Sequence, residues 1–141
     1  MIIKQLSVFL ENKSGRLHEL FATLGSANIN VSACSVADTS DFGILRMIVS
    51  EPDKAREILK AKSFSVNVNE VISFATPNTP GALAKGLEIL AGAGIGVEYL
   101  YGYSIGEKSF IALRCDNPEK AVMEFQRHQL ELICASDLYK F

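Results

Sequence analysis

The chain has 141 residues, 48% hydrophobic and 21% charged, which is enough apolar material for a packed core and too much for a disordered segment. A net charge of −2 and a pI near 5.7 give no electrostatic basis for binding nucleic acid or an anionic membrane. No apolar run approaches the roughly 20 residues of a membrane span, and Met1 to Leu6 read as a strand and not as a signal peptide, which places the chain in the cytoplasm.

Residues 2–10 form the first predicted strand, and Leu17, Leu20, Phe21 and Leu24 mark a helix by their i, i+3, i+4, i+7 spacing. That helix is expected to stop at Asn28, a residue type that tolerates left-handed backbone. A strand over 29–36, a turn over 38–42 and a strand over 44–49 follow. Pro52 opens a second helix carrying Ala55, Ile58 and Leu59, and residues 64–68 make a fourth strand that runs on through Asn69 and Glu70. The order then repeats: strand 71–75, helix 83–93, strands 95–103 and 109–115, helix 118–128 and strand 130–138.

The repetition is a duplication of the sequence itself. Asn12-Lys13-Ser14-Gly15-Arg16-Leu17 returns 66 positions later (78 − 12) as Asn78-Thr79-Pro80-Gly81-Ala82-Leu83. The same offset pairs Ser7 with Ser73, Leu24 with Leu90, Ala27 with Ala93, Ile29 with Ile95, Val31 with Val97, Pro52 with Pro118 and Lys54 with Lys120, without a gap. Asn28 falls on Gly94. The fold class is therefore α+β, two ferredoxin-like βαββαβ modules over 1–68 and 69–141, each an antiparallel sheet of order 4-1-3-2 with two helices on one face. Modules so small bury little surface alone, so the two are expected to pack as one unit. If their second strands and first helices meet side by side, the two sheets join into one of eight strands.

Each repeated motif stands where a strand turns into a helix. Pro80 suits the first helical position and Thr79 the cap before it. Backbone N–H groups at such a start point outward beside the positive end of a helix dipole, a place for a carboxylate, and Gly81 lets the backbone come close to a ligand.

A βαββαβ module with Asn-x-x-Gly-x-Leu after its first strand resembles the ACT domain, a small regulatory module that binds amino acids. The likeness covers both copies. The second carries the full Asn-x-Pro-Gly-x-Leu as Asn78, Pro80, Gly81 and Leu83, while the first has Ser14 at the proline and keeps Asn12, Gly15 and Leu17. The resemblance implies a free amino acid held where two modules meet, no attached catalytic domain, no cofactor and no metal, and a signal passed to a separate enzyme or regulator. In ACT domains that bind serine, the helix-start Asn of one module contributes, with an Asn-Ile pair at the start of the partner's second strand. Carried over, the first role falls on Asn12 and Asn78, and the second on Asn28-Ile29, where the other copy has Gly94-Ile95. One complete site would join the loop of Asn78 and Ala82 to Asn28-Ile29; the other would join the Asn12 loop to Gly94-Ile95 and lack one amide. The plain alternative is that Asn12 and Asn78 only close turns.

Other readings draw on the same fold. A small phosphatase of the acylphosphatase type would use Arg16 with Asn12, although Ala82 stands at the equivalent of Arg16. RNA binding would need stacking aromatics, for which Phe74 and Phe110 are the candidates. His18 reads as a surface residue, and His128 as a side chain placed at the negative end of the last helix. Cys34, Cys115 and Cys134 lack metal-site spacing and read as small buried hydrophobes. Tyr99, Tyr101 and Tyr103 share one strand face, as core packing or as the wall of an interface or pocket. A homodimer packed through sheets or helices is expected, because the sheet face opposite the helices carries apolar residues.

Overall fold

The computed structural model describes residues 1–38 and 41–138, so the turn predicted over 38–42 lies partly outside the described residues. The elements in chain order are β1 (Ile2–Glu11), α1 (Arg16–Ser26), β2 (Val31–Asp38), β3 (Phe42–Val49), α2 (Pro52–Ala61) and β4 (Ser65–Pro77). Then come α3 (Ala82–Gly92), β5 (Val97–Ile105), β6 (Lys108–Cys115), α4 (Pro118–Arg127), β7 (Glu131–Ile133) and α5 (Ala135–Leu138). They form two compact units, Lys4–Asn69 with the chain end from Ser136, and Met1–Ile3 with Glu70–Ala135. No helix among the described residues is long and apolar enough to cross a membrane.

In the first unit the strands run β4-β1-β3-β2, and in the second β7-β4-β6-β5, which is the order 4-1-3-2 in both. The duplication is reproduced down to register. Leu6 faces Met47 and Glu11 faces Phe42 in one unit; their equivalents Ile72 and Leu113, Pro77 and Lys108 face each other in the other. Even the irregularity between Val31 and Ala33 recurs between Val97 and Tyr99. β4 is one uninterrupted strand that supplies both units, as expected of a fourth strand that runs on through Asn69 and Glu70 with no Gly/Ser-rich or Pro-rich linker.

Successive residues of a strand point to opposite faces, and one face of each sheet packs under two helices; residues 71–76 of β4 are buried in succession, on both faces. Leu6 and Val8 of β1 lie beneath Leu20 and Leu24 of α1 and Leu59 of α2, all fully buried. In the second unit Ile72, Phe74, Leu90, Leu113 and Phe125 do the same, with the Phe74 and Phe125 rings 4.8 Å apart. Each such aliphatic or aromatic side chain contributes roughly 1.5–3 kcal/mol on burial. Phe74 thus belongs to the core, which removes one of the two aromatics an RNA-binding face would need. Cys115 is buried, but Cys34 is exposed, against the expectation of a buried thiol, because β2 is the outer strand of its unit.

All four long helices end alike. Asn28, Ser63, Gly94 and Gln129 take positive φ (59°, 66°, 71° and 58°), and the residue after each returns its N–H into the last turn, as Ile29 to the Leu24 carbonyl and Ile95 to the Leu90 carbonyl, both at 3.0 Å. This is the Schellman stop. Because Ile29 and Ile95 spend their N–H groups on it, the ladders start two residues later than the predicted strands, at Val31 and Val97.

Two further expectations fail. The strand predicted over 130–138 is only Glu131–Ile133, paired with Ser73–Ala75, and the chain then turns into α5. A strand needs an open edge to pair with, and β4 before Ser73 passes into the first unit, where its neighbour is β1. Pro80 and Thr79 are also not the first helical residue and its cap. α3 starts at Ala82, its N-cap is Gly81 in the left-handed region, and no side chain caps it.

Candidate functional site

The helix-start loops are the same object built twice. In the second module Pro80 and Gly81 are the central residues of a tight turn, closed by the Ala82 N–H on the Thr79 carbonyl at 3.2 Å. Gly81 has φ 84° and ψ −10°, the values of the third residue of a type II turn, with proline in its usual place before it. In the first module Gly15 has φ 85° and ψ −10°, and the Arg16 N–H closes the turn on the Lys13 carbonyl at 3.3 Å. A Cβ at either glycine would meet nothing within 4 Å, so backbone conformation, not crowding, demands glycine there. After the turn, Leu17 and Leu83 pack on the cores of their modules, fixing the start of each helix.

Asn78 ties this turn to the β5–β6 hairpin. Its N–H donates to the Glu107 carbonyl at 2.8 Å, and its Nδ2 donates to the Gly106 carbonyl at 3.0 Å. Its Oδ1 accepts from the Ser109 hydroxyl at a long 3.5 Å and is the least committed polar atom of the group. The Asn12 N–H makes the matching bond to the Asp41 carbonyl at 2.9 Å. Beside Asn78 opens a hollow of about 690 Å³ bordered by Pro77, Gly106, Gln129 and the ion pair of Lys108 with Glu131 at 3.0 Å. The hairpin's part was missed in the sequence, since Gly106 lies 28 residues from Asn78 and bears no side chain to signal it.

The helix stops lie elsewhere. Asn28 is exposed; its backbone N–H donates to the Gly25 carbonyl at 3.0 Å, and its side-chain amide makes no hydrogen bond among the described residues. Ile29 and Ile95 are buried in their own modules, at 4% and 6% exposure. Within one module the Asn78 loop and Gly94 stand at opposite ends of α3, an 11-residue helix about 16 Å long. The same holds for Asn12 and Asn28 about α1. A single module therefore never brings a helix-start loop to a helix stop.

Of the remaining candidates, Arg16 and His128 are held in structural contacts. The Arg16 guanidinium lies 4.2 Å over the Phe64 ring and 3.0 Å from Glu19, so it offers no free fork to a phosphate. His18 is exposed. His128 sits at the end of α4 with Nδ1 2.9 Å from the Glu124 carbonyl, as a residue placed at the negative end of a helix dipole. Tyr103 is half-exposed, with its ring 5.6 Å from that of Phe110. Burial pushes the Cys115 thiol up from its ordinary range, and a hydrogen bond and the charge of Lys13 hold the Glu11 carboxyl down.

The whole chain, residues 1–141, matches the family model described as an ACT domain pair. A crystal structure of protein BT0572 from Bacteroides thetaiotaomicron is 46% identical, with a TM-score of 0.96 over 100% of this chain and 98% of that one. The ligand-free regulatory subunit of aspartate kinase from Thermus thermophilus is 16% identical, with a TM-score of 0.65 over 88% of this chain and 91% of its own. The corresponding subunit from Thermus flavus is 14% identical, with a TM-score of 0.64 over 90% of this chain and 94% of its own. At those identities the likeness to the kinase subunits is one of fold. Among curated proteins no sequence matches.

Proposed function

The chain belongs to the family of ACT domain pairs, and from that membership we propose that it is a non-catalytic regulatory protein of the cytoplasm that binds a free amino acid between two modules. It reports that ligand to a separate enzyme or regulator. The observation that carries the reading is the helix-start turn, built twice with the same left-handed glycine ahead of an 11-residue helix. An amino acid offers a carboxylate and an ammonium a few ångströms apart. The N–H groups and dipole at the start of α3 suit the carboxylate. The Asn78 Oδ1, oriented by the bond from its own Nδ2 to Gly106, suits the ammonium.

Because one module holds the loop and the stop at opposite ends of a helix, the stop that closes the site comes from another module. Asn28-Ile29 is the better stop, since its uncommitted amide adds a hydrogen bond that Gly94-Ile95 cannot supply. Phe9 and Phe42 support a homodimer: they are 50% and 41% exposed and stacked at 4.8 Å, a pair of large apolar rings left on the surface of one chain. Light scattering that returned only the 15.4 kDa monomer at high micromolar concentration would remove the homodimer.

A thermal-shift screen against the twenty amino acids tests the function. A ligand at one hundred times its Kd adds about 2.7 kcal/mol to the native state, a rise of about 5–10 °C for a chain of this size. One amino acid, or a close pair, is expected to produce that rise, and a flat response to all twenty removes the reading.

A further inference from the structure

Ser32 lies in the irregularity at the start of β2. Val31 faces Val49 and Ala33 faces Ile48, so Ser32 is an extra residue with no partner of its own in the ladder. The offset of 66 places Glu98 in the same irregularity of β5, between Val97 facing Cys115 and Tyr99 facing Arg114. Glu98 spends its carboxylate inside its own sheet, accepting from the Arg114 Nε–H at 2.7 Å. Arg114 corresponds to Ile48, so in the first module the extra side chain meets no charge at that place. The Ser32 hydroxyl donates instead to the Leu138 carbonyl, 106 residues away, at 2.6 Å.

Leu138 ends α5, which follows β7 and from Ser136 on belongs to the compact unit of the first module. None of the four residues of α5 is buried. A single helical turn with no buried side chain opens at little cost in free energy, so one hydrogen bond shifts it measurably between seated and released. Its seat adjoins a helix stop. Asn28 and Ile29 form that stop, and the next residue is braced to the end of β3. The Asn30 N–H donates to Ser50 Oγ at 3.0 Å, and the Ser50 N–H returns to the Asn30 carbonyl at 2.9 Å. Ser32 follows two residues later. Four residues span at most about 14 Å, so whatever fixes Asn28 and whatever fixes Ser32 order the same short stretch.

We propose that α5 is a releasable strap whose seating on β2 is coupled to occupancy of the Asn28-Ile29 stop, each favouring the other. This rests on the amino-acid reading and names the element through which that site signals. An occupant of the stop orders residues 28–32 and so lowers the entropic cost of seating α5. By linkage the seated strap tightens the stop by the same factor. The unoccupied chain releases α5 more often, which gives a separate regulator a surface that differs between the two states.

Hydrogen exchange of the α5 amides tests this on the full chain, with a mixture of the twenty amino acids at millimolar concentration as probe and thermal shift as companion readout. The mixture is expected to raise the Tm and to slow α5 exchange by about two- to tenfold, the worth of one intramolecular hydrogen bond. Ser32→Ala should speed α5 exchange in the probe-free chain by a similar factor and reduce the Tm rise that the mixture gives. Ser32→Thr, which keeps the hydroxyl, should restore both. A hydroxyl of purely structural worth would change exchange in the free chain and leave the response to the mixture untouched. A Tm rise with unchanged α5 exchange, or an undiminished rise in Ser32→Ala, would overturn the strap and leave the amino-acid reading standing. A flat Tm response to the mixture removes both.

Discussion

Gly94→Asn installs in the second module the amide that the first module carries at Asn28. The structure allows its magnitude to be worked out. Gly94 has φ 71° and Asn28 φ 59°, in the same helix stop with the same returning N–H from the next isoleucine. A Cβ built on Gly94 meets nothing within 4 Å, so sterics add no penalty. What remains is the intrinsic cost of left-handed backbone for a residue with a side chain, about 1 kcal/mol for the tolerant asparagine. That corresponds to a fall of about 2–4 °C in Tm, read by differential scanning calorimetry. A loss of the size expected for a buried leucine truncation, roughly 2–5 kcal/mol, would refute the reasoning, because it would mean that position 94 is not an open left-handed stop. With its fold intact, the variant should also gain a second amino-acid site of matching affinity, seen as a rise in calorimetric stoichiometry.

Gly102→Ala should behave in the opposite way, since its Cβ would collide with the Phe110 carbonyl oxygen and the Ile111 side chain in the adjoining strand. A loss of roughly 3 kcal/mol or more is expected, and a Tm within a degree or two of the parent would contradict the β5–β6 register. Thiol alkylation under native conditions should modify exposed Cys34 and spare buried Cys115, as peptide mapping would show. Because the folded Cys115 pKa is raised by burial, its contribution to stability is present below the ordinary thiol range and is lost as pH climbs through the raised value. Cys115→Ala should flatten that alkaline decline.

Most of the fold was legible because its signals are local and periodic. The helical spacing of Leu17, Leu20, Phe21 and Leu24, and its echo 66 residues on, required both modules with no appeal to distant contacts. The start of α3 was misread for a definite reason. Proline holds the same φ near −65° at the first helical residue and at the second residue of a turn, so Thr79-Pro80 reads alike for both until Gly81 is seen to be left-handed. The last strand was overextended because its length depends on which edge of β4 is open, and no local pattern records that. At the site, the motif located the helix-start turns but not what Asn78 holds. Its partner is a backbone carbonyl of a distant hairpin.

Calorimetric titration of the responding amino acid into Asn78→Ala, Asn28→Gly and Asn12→Ala tests the central claim most directly. Asn78→Ala and Asn28→Gly should each weaken binding by about one to two decades, the loss of a hydrogen bond worth roughly 1.5–3 kcal/mol to a charged group, and Asn12→Ala by much less. Equal losses for Asn12→Ala and Asn78→Ala would contradict the asymmetry of the sites, and unchanged binding in all three would return these asparagines to the closing of turns.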